Sequence, residues 1–192
     1  TRAEVEEAIE RVSGGLERRS RIISPEERQR VAYHEVGHAI VGQVLPGGAR
    51  VAKISVVPRG VAALGYTMKL PTEDRYLTTE SELRAQLAGL LGGRVAEQLV
   101  FGEASTGAGN DLQRATDLAR AMVAEYGMSA VIGPVTVAAE RSPIYMPAES
   151  AGRMREHGDH LADTVDAEVK RLVEQAEAAA REILTGRRDD LD

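Results

Sequence analysis

Residues 31 to 41 read VAYHEVGHAIV, two histidines four apart with a glutamate beside the first. On an α-helix His34 and His38 stand about 40° apart around the axis and one turn apart along it, so both imidazoles can converge on one ion. Glu35 projects about 60° from His38, near enough to reach a water on that ion without being forced to ligate it. Zinc with two neutral imidazoles and one carboxylate keeps its fourth position open, lowers the pKa of bound water towards about 7 and polarises a substrate carbonyl. Glu35 then has the geometry of a general base that activates the zinc-bound water and passes its proton to the leaving amine. The competing reading is a pair of half-buried core histidines satisfied by backbone carbonyls, and the mid-helix setting described below favours the metal.

The chain has no cysteine and four histidines, so any transition metal must be held by histidine and carboxylate. No third histidine follows His38 at the spacing used by metzincin-type enzymes. Two carboxylates compete for the third place. Glu97, in GGRVAEQ, falls on a helix about 60 residues downstream. Asp111, in STGAGNDLQRAT, falls in the first turn of the next helix, after a glycine-rich loop that permits close backbone approach. An aspartate in a first turn is also favoured by the helix dipole alone, so spacing leaves both candidates open. His157 and His160 in HGDH read as a solvated helix cap, with Asp159 as N-cap, rather than a second metal site.

The elements that must position these residues follow from caps and periodicity. Ser24, Pro25 and Glu27 form a helix start, and PGG at 46 to 48 ends that helix, which places the histidines in its middle. Residues 51 to 69 switch to β-branched clusters around an Arg59-Gly60 turn and read as a small sheet. Thr79 to Glu82 repeats the capping box before a leucine stripe reaching about Val100, where Gly89, Gly92 and Gly93 demand compensation by close packing. Asn110 reads as the N-cap of a helix ending before Gly127. Residues 138 to 158 have no period and read as a long loop, and Leu161, Val165, Val169, Leu172, Ala176, Ala179 and Ile183 mark a long amphipathic helix. The expected fold class is mostly α (α+β), with the small sheet beside the H-E-x-x-H helix. ALGYTMK offers an open strand edge on which Leu64, Gly65 and Tyr66 could bind substrate backbone.

With 24 basic and 30 acidic residues the chain carries a formal charge of -6, so no cationic field recruits nucleic acid, and no nucleic-acid partner is expected. No run is long and apolar enough to cross a bilayer, so the chain alone is expected to be soluble.

AYHEVGHAIVG, LGGRVAEQLVFGEASTGAGNDLQRATDLARAMVAEYGMS and GPV together resemble the peptidase domain of FtsH-type proteases, the membrane-anchored AAA+ zinc metalloproteases. The resemblance runs from EAIERV and ERRSRIIS, similar to the family's junction after its ATPase lid, to REIL, nearly the whole chain. It implies a short helix and linker over residues 1–23 and a zinc peptidase domain over 24–192, truncated before the family's usual tail. It implies one Zn2+ per chain held by His34, His38 and Asp111, with Glu35 as base and Glu97 outside the ligand set, orienting a histidine or the site electrostatically. It further implies unfolded or membrane polypeptides as substrates, a homo-hexamer, and a parent anchored in a membrane with this domain on the cytoplasmic face. ATP would belong to the parent's ATPase module, because no G-x-x-x-x-G-K-[ST] loop occurs here. Val36 and Gln98 depart from the family's usual Ala and Glu, and neither departure removes a ligand. Two alternatives stand beside this reading: a peptidase with Glu97 as ligand and no ATPase partner, and an idle oligomerisation module whose zinc only stabilises the fold.

Overall fold

The structure, a computed structural model, describes residues 23–45, 50–56, 66–70, 77–137 and 159–192, together with Ala8 and Val12. The PGG stop, the Arg59-Gly60 turn, Leu64, Gly65, the loop 138–158, His157 and most of residues 1–23 lie outside the described residues.

The described chain is mostly helical. Helix α1 spans Pro25–Val44; the Ser24 hydroxyl accepts from the Glu27 amide at 3.1 Å, and Glu26 and Glu27 add negative charge to its first turn. It ends at Leu45, whose backbone is extended (φ -80, ψ 147), as the residue before a proline must be. Two strands follow, β1 (Arg50–Ser55) and β2 (Tyr66–Leu70), paired antiparallel. Arg50 faces Leu70 and Ser55 faces Tyr66, and the register slips between Val51 and Lys53, which leaves Ala52 as an extra residue. Both strands lie against α1.

Helix α2 (Glu80–Phe101) is the centre of the molecule. Its capping box is complete: Thr79 Oγ1 accepts from the Glu82 amide, and the Glu82 carboxylate accepts from the Thr79 amide at 2.8 Å. Gly102 closes it in the left-handed region (φ 78), a conformation that suits glycine. Leu87, Leu91 and Val95 are wholly buried against Ala115, Ala119, Met122 and Val123 of α3 (Gly109–Ala124) and Leu172, Ala180 and Leu184 of α4 (Asp159–Gly186). Each fully buried aliphatic side chain of this size contributes about 1.5–3 kcal/mol. After Ala176 the buried line of α4 passes through Ala180 and Leu184, while Ala179 and Ile183, expected on that line, are only partly buried. A short helix α5 (Arg188–Leu191) adds Leu191 to the core.

Two features set the position of the site. Helices α1 and α2 cross glycine on glycine: a Cβ on Gly37 would stand 2.5 Å from the Gly92 carbonyl oxygen, and one on Gly92 would stand 2.7 Å from the Gly37 oxygen. No larger residue permits this approach, which brings the backbones close where α1 carries its histidines. The entry to α3 differs from the expected Asn110 cap. Thr106–Ala108 form a 3-10 turn capped by Ser105, whose hydroxyl accepts from the Gly107 amide at 3.2 Å, and this turn feeds directly into α3 at Gly109. Asn110 is therefore already helical, and Asp111 falls at the third helical position.

Candidate metal centre

The helix crossing places the His34 and His38 rings edge to face, 4.6 Å between centroids, in a half-closed space between α1, α2 and the start of α3. Each ring is held from behind at Nδ1. His38 Nδ1 donates to the Gly89 carbonyl oxygen at 2.8 Å, and His34 Nδ1 donates to Glu97 Oε1 at 2.7 Å. A carbonyl and an ionised carboxylate only accept, so both tautomers are set with the proton on Nδ1. Both Nε2 lone pairs then face forward, 3.0 Å apart. Asp111 Oδ2 completes the group, 3.2 Å from His34 Nε2 and 3.3 Å from His38 Nε2. Three acceptors converge with no donor among them, and only a cation or a proton satisfies that arrangement.

Ionisation follows the same logic. Burial alone would push the His34 imidazole down, but hydrogen bonds to Asp111 and Glu97 and the charge of both carboxylates hold it at about 9. Burial would push Asp111 up, yet the His34 and His38 imidazoles beside it hold its carboxyl well below the usual carboxylate range. Glu97 is shifted down for the same reason, through His34 and the Ser105 amide, against its own burial. A metal-free centre thus holds a proton where a dication would otherwise sit. Two neutral imidazoles and one carboxylate, each presenting one forward atom, are the donor set of an open zinc site, and the residues present fit that metal. Among the described residues, His34, His38 and Asp111 are the group of potential ligands whose atoms all lie within 4.8 Å of one another.

The chain also matches a known family: the model of Peptidase family M41 covers residues 21–192. The chain belongs to peptidase family M41. It is 55% identical over 192 residues to the ATP-dependent zinc metalloprotease FtsH 4 of Synechocystis sp., covering all of this chain and 31% of that protein. It is 48% identical over 192 residues to the ATP-dependent zinc metalloprotease FtsH of Syntrophobacter fumaroxidans, again covering all of this chain and 30% of the relative. Against the FtsH protein of the same description from Thermotoga maritima the identity is 45%, over all of this chain and 31% of the relative. The M41 chain therefore spans about a third of the length of these curated relatives.

In this M41 chain the structure brings His34, His38 and Asp111 together and sets Glu97 apart, on the rear nitrogen of His34. Glu35 is 8% exposed on α1 between the two histidines, and Glu97 is 1% exposed on α2. Tyr66 opens β2. His160 is exposed in the first turn of α4. Periodicity did not reveal three parts of the centre. Gly93 is the floor under His34: a Cβ there would lie 2.6 Å from the ring's Cε1 and Nε2. Gly89 has open space around it, and its contribution is the carbonyl that holds His38. Ser105 donates its amide to Glu97 Oε2 at 2.7 Å, joining the carboxylate behind His34 to the loop that leads to Asp111. The GLLGG cluster was the available signal for the first two.

Proposed function

We propose that this chain is a zinc endopeptidase module, with one Zn2+ held by His34 Nε2, His38 Nε2 and Asp111 and with Glu35 as the general base. The observation that carries the reading is the convergence of three acceptor atoms in a site whose rear hydrogen bonds fix both histidine tautomers. Family membership and the names of the FtsH relatives, which are zinc metalloproteases, support the same choice of metal and reaction. Zinc in this centre supplies Lewis acidity toward a peptide carbonyl and a water. Glu35 takes one proton from the attacking water onto a carboxylate oxygen as the water oxygen bonds to the carbonyl carbon. It returns that proton to the peptide nitrogen as the carbon–nitrogen bond breaks, so the base is regenerated. Glu35 is buried on the same helix between the two histidines, one residue from His34 and three from His38. Glu97 and the Gly89 carbonyl orient the two rings.

The domain assignment belongs to the same proposal: residues 24–192 form the peptidase unit and residues 1–23 the junction with a preceding ATPase module. The parent is an ATP-dependent, membrane-anchored protease, a homo-hexamer with this domain on the cytoplasmic face, acting on unfolded or membrane polypeptides. No described helix is long and apolar enough to cross a membrane. Leu64, Gly65 and Tyr66, the last of which opens β2, receive substrate backbone by strand addition in this proposal.

Zinc content and casein cleavage of the unmodified protein beside Asp111→Asn and Glu97→Gln variants test the assignment. The unmodified protein is expected to hold one zinc per chain and lose cleavage to a chelator, Asp111→Asn to lose zinc, and Glu97→Gln to bind it more weakly. Full zinc retention in Asp111→Asn with loss in Glu97→Gln would make Glu97 the ligand instead.

A further inference from the structure

We infer that Arg30 is a positioning residue of the metal centre, the clamp that sets the distance between the two histidines and Asp111. The inference rests on the zinc reading above and adds to it a side chain that touches none of the three ligands. Arg30 lies on α1 one turn before His34. Its Nη1 donates to the Glu103 carbonyl oxygen at 3.3 Å, and its Nη2 donates to Glu103 Oε1 at the same distance. The same Nη1 stands 3.6 Å from Glu97 Oε2. The guanidinium lies over the Phe101 ring, 4.6 Å from its centroid, and Phe101 meets Tyr33 edge to face at 5.5 Å.

These contacts run both ways around the centre. Through Glu97, whose side chain is 2% exposed, Arg30 reaches the rear nitrogen of His34. Through the Glu103 carbonyl it grips the segment that passes Ser105 and the 3-10 turn before arriving at Asp111. That segment begins at Gly102 with φ 78 and passes through the 3-10 turn that Ser105 caps before it reaches Asp111. Glu97 meets it from the other side at the Ser105 amide. Arg30 and Glu97 therefore pin the loop that delivers one ligand to the helix that delivers the other two. The ion pair with the exposed Glu103 carboxylate adds little alone, because solvent screens it. The contribution lies in the carbonyl hydrogen bond, the buried Glu97 and the stacked ring, which only a planar fork can serve together. Lysine brings the charge but reaches one partner at a time.

The test is zinc affinity measured by chelator competition, with kcat and KM for an unfolded casein substrate, on the unmodified protein, Arg30→Met and Arg30→Lys. Supporting groups behind metal ligands typically change affinity by about 10- to 100-fold, and a group one step further out is expected at the low end, about tenfold weaker for Arg30→Met. kcat falls with it while KM stays within about twofold, and Arg30→Lys recovers part of the zinc affinity, since a point charge can replace one contact. A structural role alone would lower the melting temperature and leave the folded protein's zinc affinity untouched. Zinc affinity and kcat within twofold of the unmodified protein in Arg30→Met would overturn the inference, and if that variant does not fold, the same result in Arg30→Lys would do so. An unmodified protein that binds no zinc would instead overturn the zinc reading itself.

Discussion

Gly93→Ala isolates the packing that holds the first histidine. The added Cβ would stand 2.6 Å from Cε1 and Nε2 of His34 and 2.7 Å from Cδ2, where ordinary contact begins at 3.4 Å. The neighbouring atoms belong to a stiff ring held at Nδ1 by Glu97, so the ring must retreat by about 0.8 Å or rotate away from the centre. Alanine is the better helix former by about 1 kcal/mol, whereas overpacking typically costs about 1–3 kcal/mol. The net destabilisation is therefore about 0–2 kcal/mol, or a melting temperature lower by at most about 8 °C in a domain of this size. Function is far less tolerant: ligand distances hold to about 0.2 Å, and a misplacement of about 1 Å can remove some hundredfold of rate. The variant is expected to fold, to bind zinc about 10- to 100-fold more weakly in chelator competition and to lose most of its casein cleavage. Gly186→Ala, at an open position in the last turn of α4, is the control for the helix-propensity gain. Zinc affinity within twofold of the unmodified protein in Gly93→Ala would refute the claim that this glycine seats the ligand.

Three further outcomes follow from the same geometry. Glu97→Gln leaves an amide nitrogen facing either the Ser105 amide or the His34 Nδ1 proton, so zinc affinity should fall about tenfold while the fold persists, as titration against a chelator would record. In the metal-free protein His34 is raised from 6.5 to about 9, so its protonated form stabilises the fold fully below pH 6.5 and that contribution fades as pH rises through 9. Zinc must displace this proton, so affinity should climb with pH up to about 9, and calorimetry in two buffers of different ionisation heat should show proton release at pH 7; none released would count against the coupling. Glu168 is held at about 2 by hydrogen bonds from Arg171 and Ser129 against its burial, below its ordinary 4.5. Its stabilisation is therefore present above 4.5 and lost as pH falls towards 2, and Glu168→Gln should flatten that acid-side decline in melting temperature by on the order of a few degrees.

The sequence carried helix α1 almost to the residue, because Ser24, Pro25 and Glu27 start a helix for local reasons and Pro46 stops one for a local reason. It carried His34 and His38 as a pair, since a four-residue spacing on a helix is itself a geometric statement. Glu97 and Asp111 could not be ranked in the same way. Their places depend on how closely α2 approaches α1, which the contact of Gly37 with Gly92 sets, and on the 3-10 turn that carries α3 in at Gly109. That turn also explains why Asn110, a good cap by composition, is not one. Arg30 was invisible for a related reason: it looks like any exposed helical arginine until the fold brings Glu103, 73 positions away, against it.

Peptide-bond cleavage by the zinc-loaded Glu35→Gln protein, measured beside the unmodified protein on an unfolded casein substrate, tests the account most directly. Glutamine keeps the size of the side chain but cannot take the proton. General-base catalysis typically supplies about 10²- to 10⁴-fold of rate, so both proteins should hold one zinc per chain and the variant should cleave at least about a hundredfold more slowly. Cleavage by Glu35→Gln at the unmodified rate, with zinc bound, would contradict the account.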